Sequence, residues 1–223
     1  DMLVGVIRGL AENNLETADE LLKTLPEGGA RWQASTFLAQ EYAKLGTQEA
    51  IRWADNFPTE DSRLRETILG QLGAKLSKQD LPGTAEWVKG MEHDKASQRI
   101  TDNLLAQWVS QDAPSASRWV SGLEDEGKRS YAMKQLTSRW SLVDPASTGQ
   151  WLNSHPSSPS MDPAIGEFVN RISARDPEGA IQWAETIQDQ ETKRRALQKA
   201  LGAWDKVDPG RANSWRQANN QKL

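Results

Sequence analysis

The sequence predicts an all-α fold. It is a right-handed-type α-solenoid of about six to seven helix-turn-helix repeats, an α–α superhelix forming one array over residues 1–223. Three observations predict it. An eight-residue phrase recurs, as DPASTGQW at 144–151, DPEGAIQW at 176–183 and DPGRANSW at 208–215. All ten tryptophans except Trp32 fall into two columns of the repeat. Apolar residues recur at spacings of three and four, and no stretch alternates with period two, so helices are expected and strands are not.

The final Trp of the phrase marks the register. Its column reads Leu21, Trp53, Trp87, Trp119, Trp151, Trp183 and Trp215, in steps of 32 residues with one step of 34 between Trp53 and Trp87. That two-residue insertion is expected in or near FPTEDSRL at 57–64. The second column lies eleven residues upstream: Leu10, Tyr42, Leu76, Trp108, Trp140, Ile172 and Trp204.

Each unit contains two helices. Helix A opens on the phrase. Asp144, Asp176 and Asp208 are N-caps whose carboxylates accept from free backbone N–H groups. The prolines after them suit the first helical position, where a missing N–H costs nothing. Asp80 and Asp112 keep the acid with the proline displaced by one place. Helix A runs about one turn past its marker, to the stop signals Pro26, Pro58 and Gly122. Helix B carries the apolar stripe Ile100, Leu104, Trp108; Ala132, Leu136, Trp140; Ala164, Phe168, Ile172; Ala196, Ala200, Trp204. The earlier stripes are Met2, Val6, Leu10; Ala34, Leu38, Tyr42; and Ile68, Leu72, Leu76. Helices this short cannot bury an apolar face alone, so stacking of neighbours supplies the core, with the marker Trp as its bolt. Trp32, off both columns, is expected at the surface. The first helix lacks a partner before it and the last unit stops after helix A, so the chain reads as a fragment of a longer one.

The composition bounds the chemistry. There is no Cys, hence no disulfide or thiol nucleophile. The net charge of −4 weighs against a nucleic-acid partner. No apolar run approaches the ~20 residues of a membrane-spanning helix, so no membrane insertion is expected. His93 and His155 read as loop or boundary residues. The acids of LEDEGKR at 123–129 read as a solvated turn at a helix start. SHPSSPSMDP at 154–163 reads as a stiff loop, or a projecting contact loop, with Asp162-Pro163 opening helix B. No catalytic motif, metal-ligand spacing or cofactor site is evident.

D-P-x-x-A-x-x-W resembles the junction between tetratricopeptide (TPR) units. Asp176, Pro177, Ala180 and Trp183 match it, as do Asp208, Pro209, Ala212 and Trp215. The helix-turn-helix rhythm extends the resemblance along nearly the whole chain. It departs in its period of 32, and in Phe57, Met91, Leu123, His155 and Ile187 where TPR units place a small residue soon after the Trp. The resemblance implies a superhelical scaffold with a protein or peptide in its groove.

A helical wheel centred on the marker leaves the residues one before and two after it on the far side. They form a polar ladder: Arg52/Asp55, Glu86/Lys89, Arg118/Ser121, Gln150/Asn153, Gln182/Glu185 and Ser214/Gln217. Repeat proteins use such faces for binding. The expected function is therefore a non-catalytic protein- or peptide-binding scaffold that needs no cofactor. The alternative is a helical arm or spacer of a larger enzyme or cell-surface receptor.

Overall fold

A computed structural model describes residues 2–57 and 59–219. They form thirteen α-helices and one short 3-10 helix, with no strand among the described residues. The helices alternate between the two types. Helix B is seen in α1 (Met2–Ala11), α3 (Gly29–Leu45), α5 (Ser62–Gln79), α8 (Glu126–Val143), α10 (Asp162–Ile172) and α12 (Gln190–Val207). Helix A is seen in α2 (Leu15–Thr24), α4 (Thr47–Asp55), α6 (Leu81–Gly90), α9 (Pro145–Asn153), α11 (Pro177–Glu185) and α13 (Pro209–Ala218). The remaining helix, α7 (Lys95–Ser121), holds one of each. Its backbone leaves helical geometry at Asp112 (φ −156°, ψ 82°), which is where the N-cap of helix A is expected.

The chain divides into two compact units, one ending at Gln107 and the other starting at Trp108. In the first, α1, α3 and α5 stack in sequence, while α2 packs on α1 and α3, and α4 on α3 and α5. In the second, α8, α10 and α12 stack in the same way, with α9 and α11 packed against their flanking B helices and α13 against α12. Consecutive helices and alternate B helices are in contact, which is the packing of an α-solenoid.

The helix starts follow from their side chains. Asp80, Asp144, Asp176 and Asp208 accept from Gly83, Ser147, Gly179 and Arg211 backbone N–H groups at 2.9–3.0 Å. Asp112 accepts from Ser115 N–H at 3.0 Å. Helix B is capped by the same device, with Asp61, Asp125 and Asp189 as acceptors. The acid cluster at 123–129 thus contains a cap, Asp125, which holds Lys128 N–H at 2.7 Å. Among the described residues, α3 after Gly28, α10 after Met161 and α4 after Gly46, at φ 126°, start without a side-chain cap.

Helix A ends two or three residues past its marker. A short turn follows, at 25–28, 91–94, 122–125 and 186–189, and a longer one at 56–61. The two-residue insertion lies in that longer turn. Its stop signal Pro58 lies outside the described residues. In each turn the residue four past the marker donates its N–H back to the carbonyl one past the marker: Leu25 to Leu22, Phe57 to Ala54, Leu123 to Val120, Ile187 to Ala184. Those four side chains are buried. In those four repeats a large apolar side chain therefore plugs the turn against the core.

The deepest part of the core is not the Trp column. The position three before the marker holds Ala18, Ala50, Thr84, Ala116, Thr148, Ala180 and Ala212, and all seven are fully buried. Only small side chains let neighbouring backbones approach this closely. The Trp columns flank that contact. Trp53, Trp87, Trp140 and Trp204 are buried, whereas Trp108, Trp119, Trp151, Trp183 and Trp215 are half-buried. The two columns meet ring to ring: Tyr42–Trp53 at 5.3 Å, Trp108–Trp119 at 5.8 Å and Trp140–Trp151 at 6.1 Å between centroids. The expected bolt is therefore buried in some repeats and half-buried in others, beside the small-residue contact rather than at its centre.

Two further expectations are corrected. In the first helix Met2 and Val6 are exposed; Ile7, in the row beside them, is buried as the spacing expects, together with Val4 and Ala11. The buried face is the one that meets α2 and α3, which pack on α1. At the start of α10, Asp162 does not cap its own helix. It has helical geometry (φ −54°, ψ −41°) and follows a 3-10 turn at Pro159–Met161. Its buried carboxylate accepts instead from Gln188 N–H at 3.0 Å and Asp189 N–H at 2.7 Å, tying the start of one B helix to the turn before the next.

Candidate functional site

The polar ladder lies where the wheel places it. Arg52, Asp55, Glu86, Lys89, Arg118, Ser121, Gln150, Asn153, Gln182, Ser214 and Gln217 are exposed, and Glu185 is half-exposed. Several rungs are engaged within their own helix. Arg52 pairs with Glu49, and Arg118 donates to Ser115 Oγ at 2.7 Å. Trp32 is 43 % exposed, off the core as expected.

Other rungs are wired to the next repeat. Trp87 Nε1 donates to Asp55 at 3.3 Å, and Trp151 Nε1 to Ser121 Oγ at 3.3 Å. In the first repeat the position two past the marker is Lys23, which has no acceptor. There Trp53 Nε1 reaches Asp19 instead, at 2.7 Å, four residues earlier on the same helical face. Lys23 sits over the same carboxylate at 3.6 Å. Helical spacing predicts the ladder, but these acceptors lie a full repeat away and leave no local signal.

The two histidines behave as boundary residues. His155 stands at the end of α9, with Nδ1 2.9 Å from the Trp151 carbonyl and Nε2 2.8 Å from Ser121 Oγ. Its ring meets the edge of Trp151 at 5.1 Å. His93 is exposed beside Gln98. The loop at 154–163 is held down rather than projecting: Ser130 Oγ donates to the Ser160 carbonyl at 2.7 Å, and Gln188 Nε2 to Ser157 Oγ at 3.2 Å.

One cavity opens beside the ladder in the second unit, with a volume of about 420 Å³. Its apolar wall is formed by Pro145, Ala146, Gly149, Phe168, Ile172 and Trp183. Two rungs of the ladder, Gln150 and Asn153, stand on its rim with Arg171, Arg175 and Asp176. The rings of Phe168 and Trp183 meet edge to face at 5.0 Å. Gly149 lets these two rings close over its backbone as one wall of the recess. A methyl group there would lie 3.3 Å from Phe168 Cζ and 3.5 Å from Trp183 Cζ2. The wheel finds Gln150 and Asn153 but not the cavity, whose wall includes rings from two other helices.

Among the described residues no group of three His, Cys, Asp or Glu side chains is placed to hold a metal ion, and no helix is long and apolar enough to cross a membrane. Comparison with protein-family models, with curated proteins and with solved structures finds no match to this chain. The helical-repeat architecture therefore rests on the packing itself.

Proposed function

We propose that the chain is a non-catalytic scaffold that binds a protein or peptide across its helix A face. One observation carries this reading: exposed polar side chains recur in register from repeat to repeat, and a partly apolar cavity opens among them at Gln150 and Asn153. Recognition sites combine an apolar recess with a few placed polar groups. The resemblance to TPR arrays favours the same use of the surface.

The test is a displayed peptide library selected on the full chain. Arg52, Glu86, Arg118 and Gln150 are replaced together by Ala. Their contacts are exposed and short-range, so urea stability should stay within about 1 kcal/mol of the parent. Selected peptides should lose at least about tenfold in affinity, the equivalent of ~1.4 kcal/mol. Peptides that bind the variant as well as the parent would overturn the placement of the site.

A further inference from the structure

Two departures from the repeat meet at the cavity. The position two before the marker holds Asp19, Ile51, Ala85, Ser117, Gly149, Ile181 and Asn213, and only at 149 is there no side chain at all. The position eight before the marker holds Asn13, Leu45, Gln79, Gln111, Val143, Arg175 and Val207, and only at 175 is there a cation. Both residues line the same recess, one at its wall and one at its rim.

The charges around that rim are unequal in availability. Arg171 is engaged, with Nε 2.8 Å from Glu167 and a further bond to Ser138 Oγ at 2.6 Å. Asp176 is committed to its cap on Gly179. Arg175 is exposed on the turn between α10 and α11, and its guanidinium has no ion-pair or hydrogen-bond partner among the described residues. A planar donor fork over an apolar recess suits a carboxylate presented beside a hydrophobic side chain.

We infer that this cavity takes a bulky apolar side chain of a peptide, whose adjacent carboxylate pairs with Arg175. The inference rests on the peptide-binding reading above and narrows it to a partner class. The carboxylate is either a chain end or an acidic side chain next to the apolar residue. The recess supplies affinity by burying apolar surface. The guanidinium supplies the choice between acid and amide.

Three synthetic probes separate the possibilities: acetyl-Gly-Ser-Leu-Phe with a free carboxyl terminus, the same peptide as its amide, and acetyl-Gly-Ser-Phe-Glu-Gly amide. Binding to the full chain is read from the Gly149 amide and Trp183 indole resonances. At least one acid probe should give saturable shifts at both positions, about tenfold tighter than the amide probe, as a charge-assisted hydrogen bond implies. Which acid probe binds identifies the source of the carboxylate. Arg175→Gln should bring the acid probe down to the amide probe's affinity and leave the latter unchanged. Gly149→Ile, the residue found at 51 and 181, should abolish both. Should Gly149→Ile fail to fold, Arg175→Gln at its exposed turn still decides. Equal binding of acid and amide, indifference to Arg175→Gln, or no shift with any probe overturns the inference. If ladder-dependent library peptides leave Gly149 and Trp183 unmoved, this inference falls while the scaffold reading stands.

Discussion

The indole Nε1 of Trp53 donates to the Asp19 carboxylate at 2.7 Å, joining two residues 34 positions apart in sequence. The bond ties a marker Trp to the helix A of the preceding repeat, at a partly buried site. Hydrogen bonds to charged groups contribute about 1.5–3 kcal/mol. Asp19→Ala should therefore lower urea stability by about 1–2 kcal/mol. Trp53→Phe removes the donor and keeps the ring, and the double variant should lose clearly less than the sum of the two single losses. Strict additivity would mean the bond contributes nothing.

The fully buried Ala column makes a second demand. Ala180→Leu inserts bulk where helices α10, α11 and α12 meet, and overpacking of this kind costs roughly 1–3 kcal/mol or more. Gln182→Leu, two residues on and exposed, should change stability by less than about 0.5 kcal/mol. Thermal or urea unfolding of the two variants checks the contrast.

The aromatic columns should grade by burial. Trp140, 8 % exposed, should cost about 3–5 kcal/mol when truncated to Ala. Half-buried Trp151 should cost less. The reverse order would mean that the ring stack, rather than burial, governs the loss.

Two helical glycines should respond with opposite signs to Ala. At Gly73 a methyl carbon would sit 2.6 Å from Ile100 Cγ1, so Gly73→Ala should destabilise. At Gly202 nothing lies within 4 Å, so Gly202→Ala should gain up to about 1 kcal/mol from helix propensity. Paired urea titrations read both.

Acid should weaken the caps. A hydroxyl bond from Ser147, with backbone N–H bonds, holds the Asp144 carboxyl below its ordinary value of 3.8, and Ser115 and Thr192 do the same for Asp112 and Asp189. A carboxyl whose value is lowered on folding contributes stability that is fully present above the unfolded-state value of about 3.9. That contribution disappears as pH falls through the lower folded-state value. Asp144→Ser keeps a capping oxygen without a titrating one. The variant should track the parent at neutral pH and lose less of its stability in that acid window. An unchanged acid limb would place the titrating groups elsewhere.

Much of this was legible because it is local. Asp144-Pro145 announces a helix start within two residues, and the step of 34 places an insertion in the turn at 56–61. Periodicity names a face, however, and not a depth. It groups Ala180 with Trp183, and only packing shows that the smaller residue lies deeper. Nothing near Trp53 points to Asp19, and nothing near Asp162 points to Gln188 and Asp189, since each partner arrives from another repeat. Gly149 reads as an ordinary helical glycine until Phe168 and Trp183 are folded over it.

The small-residue column also divides the chain in evolutionary terms. Methyl-sized residues set the contact between neighbouring helices, so drift there is confined to Ala, Thr and their like. The rungs one before and two after the marker face solvent, and most can vary without disturbing that contact. Sequences built on this array could therefore change their solvent-facing rungs while keeping one spine of small residues.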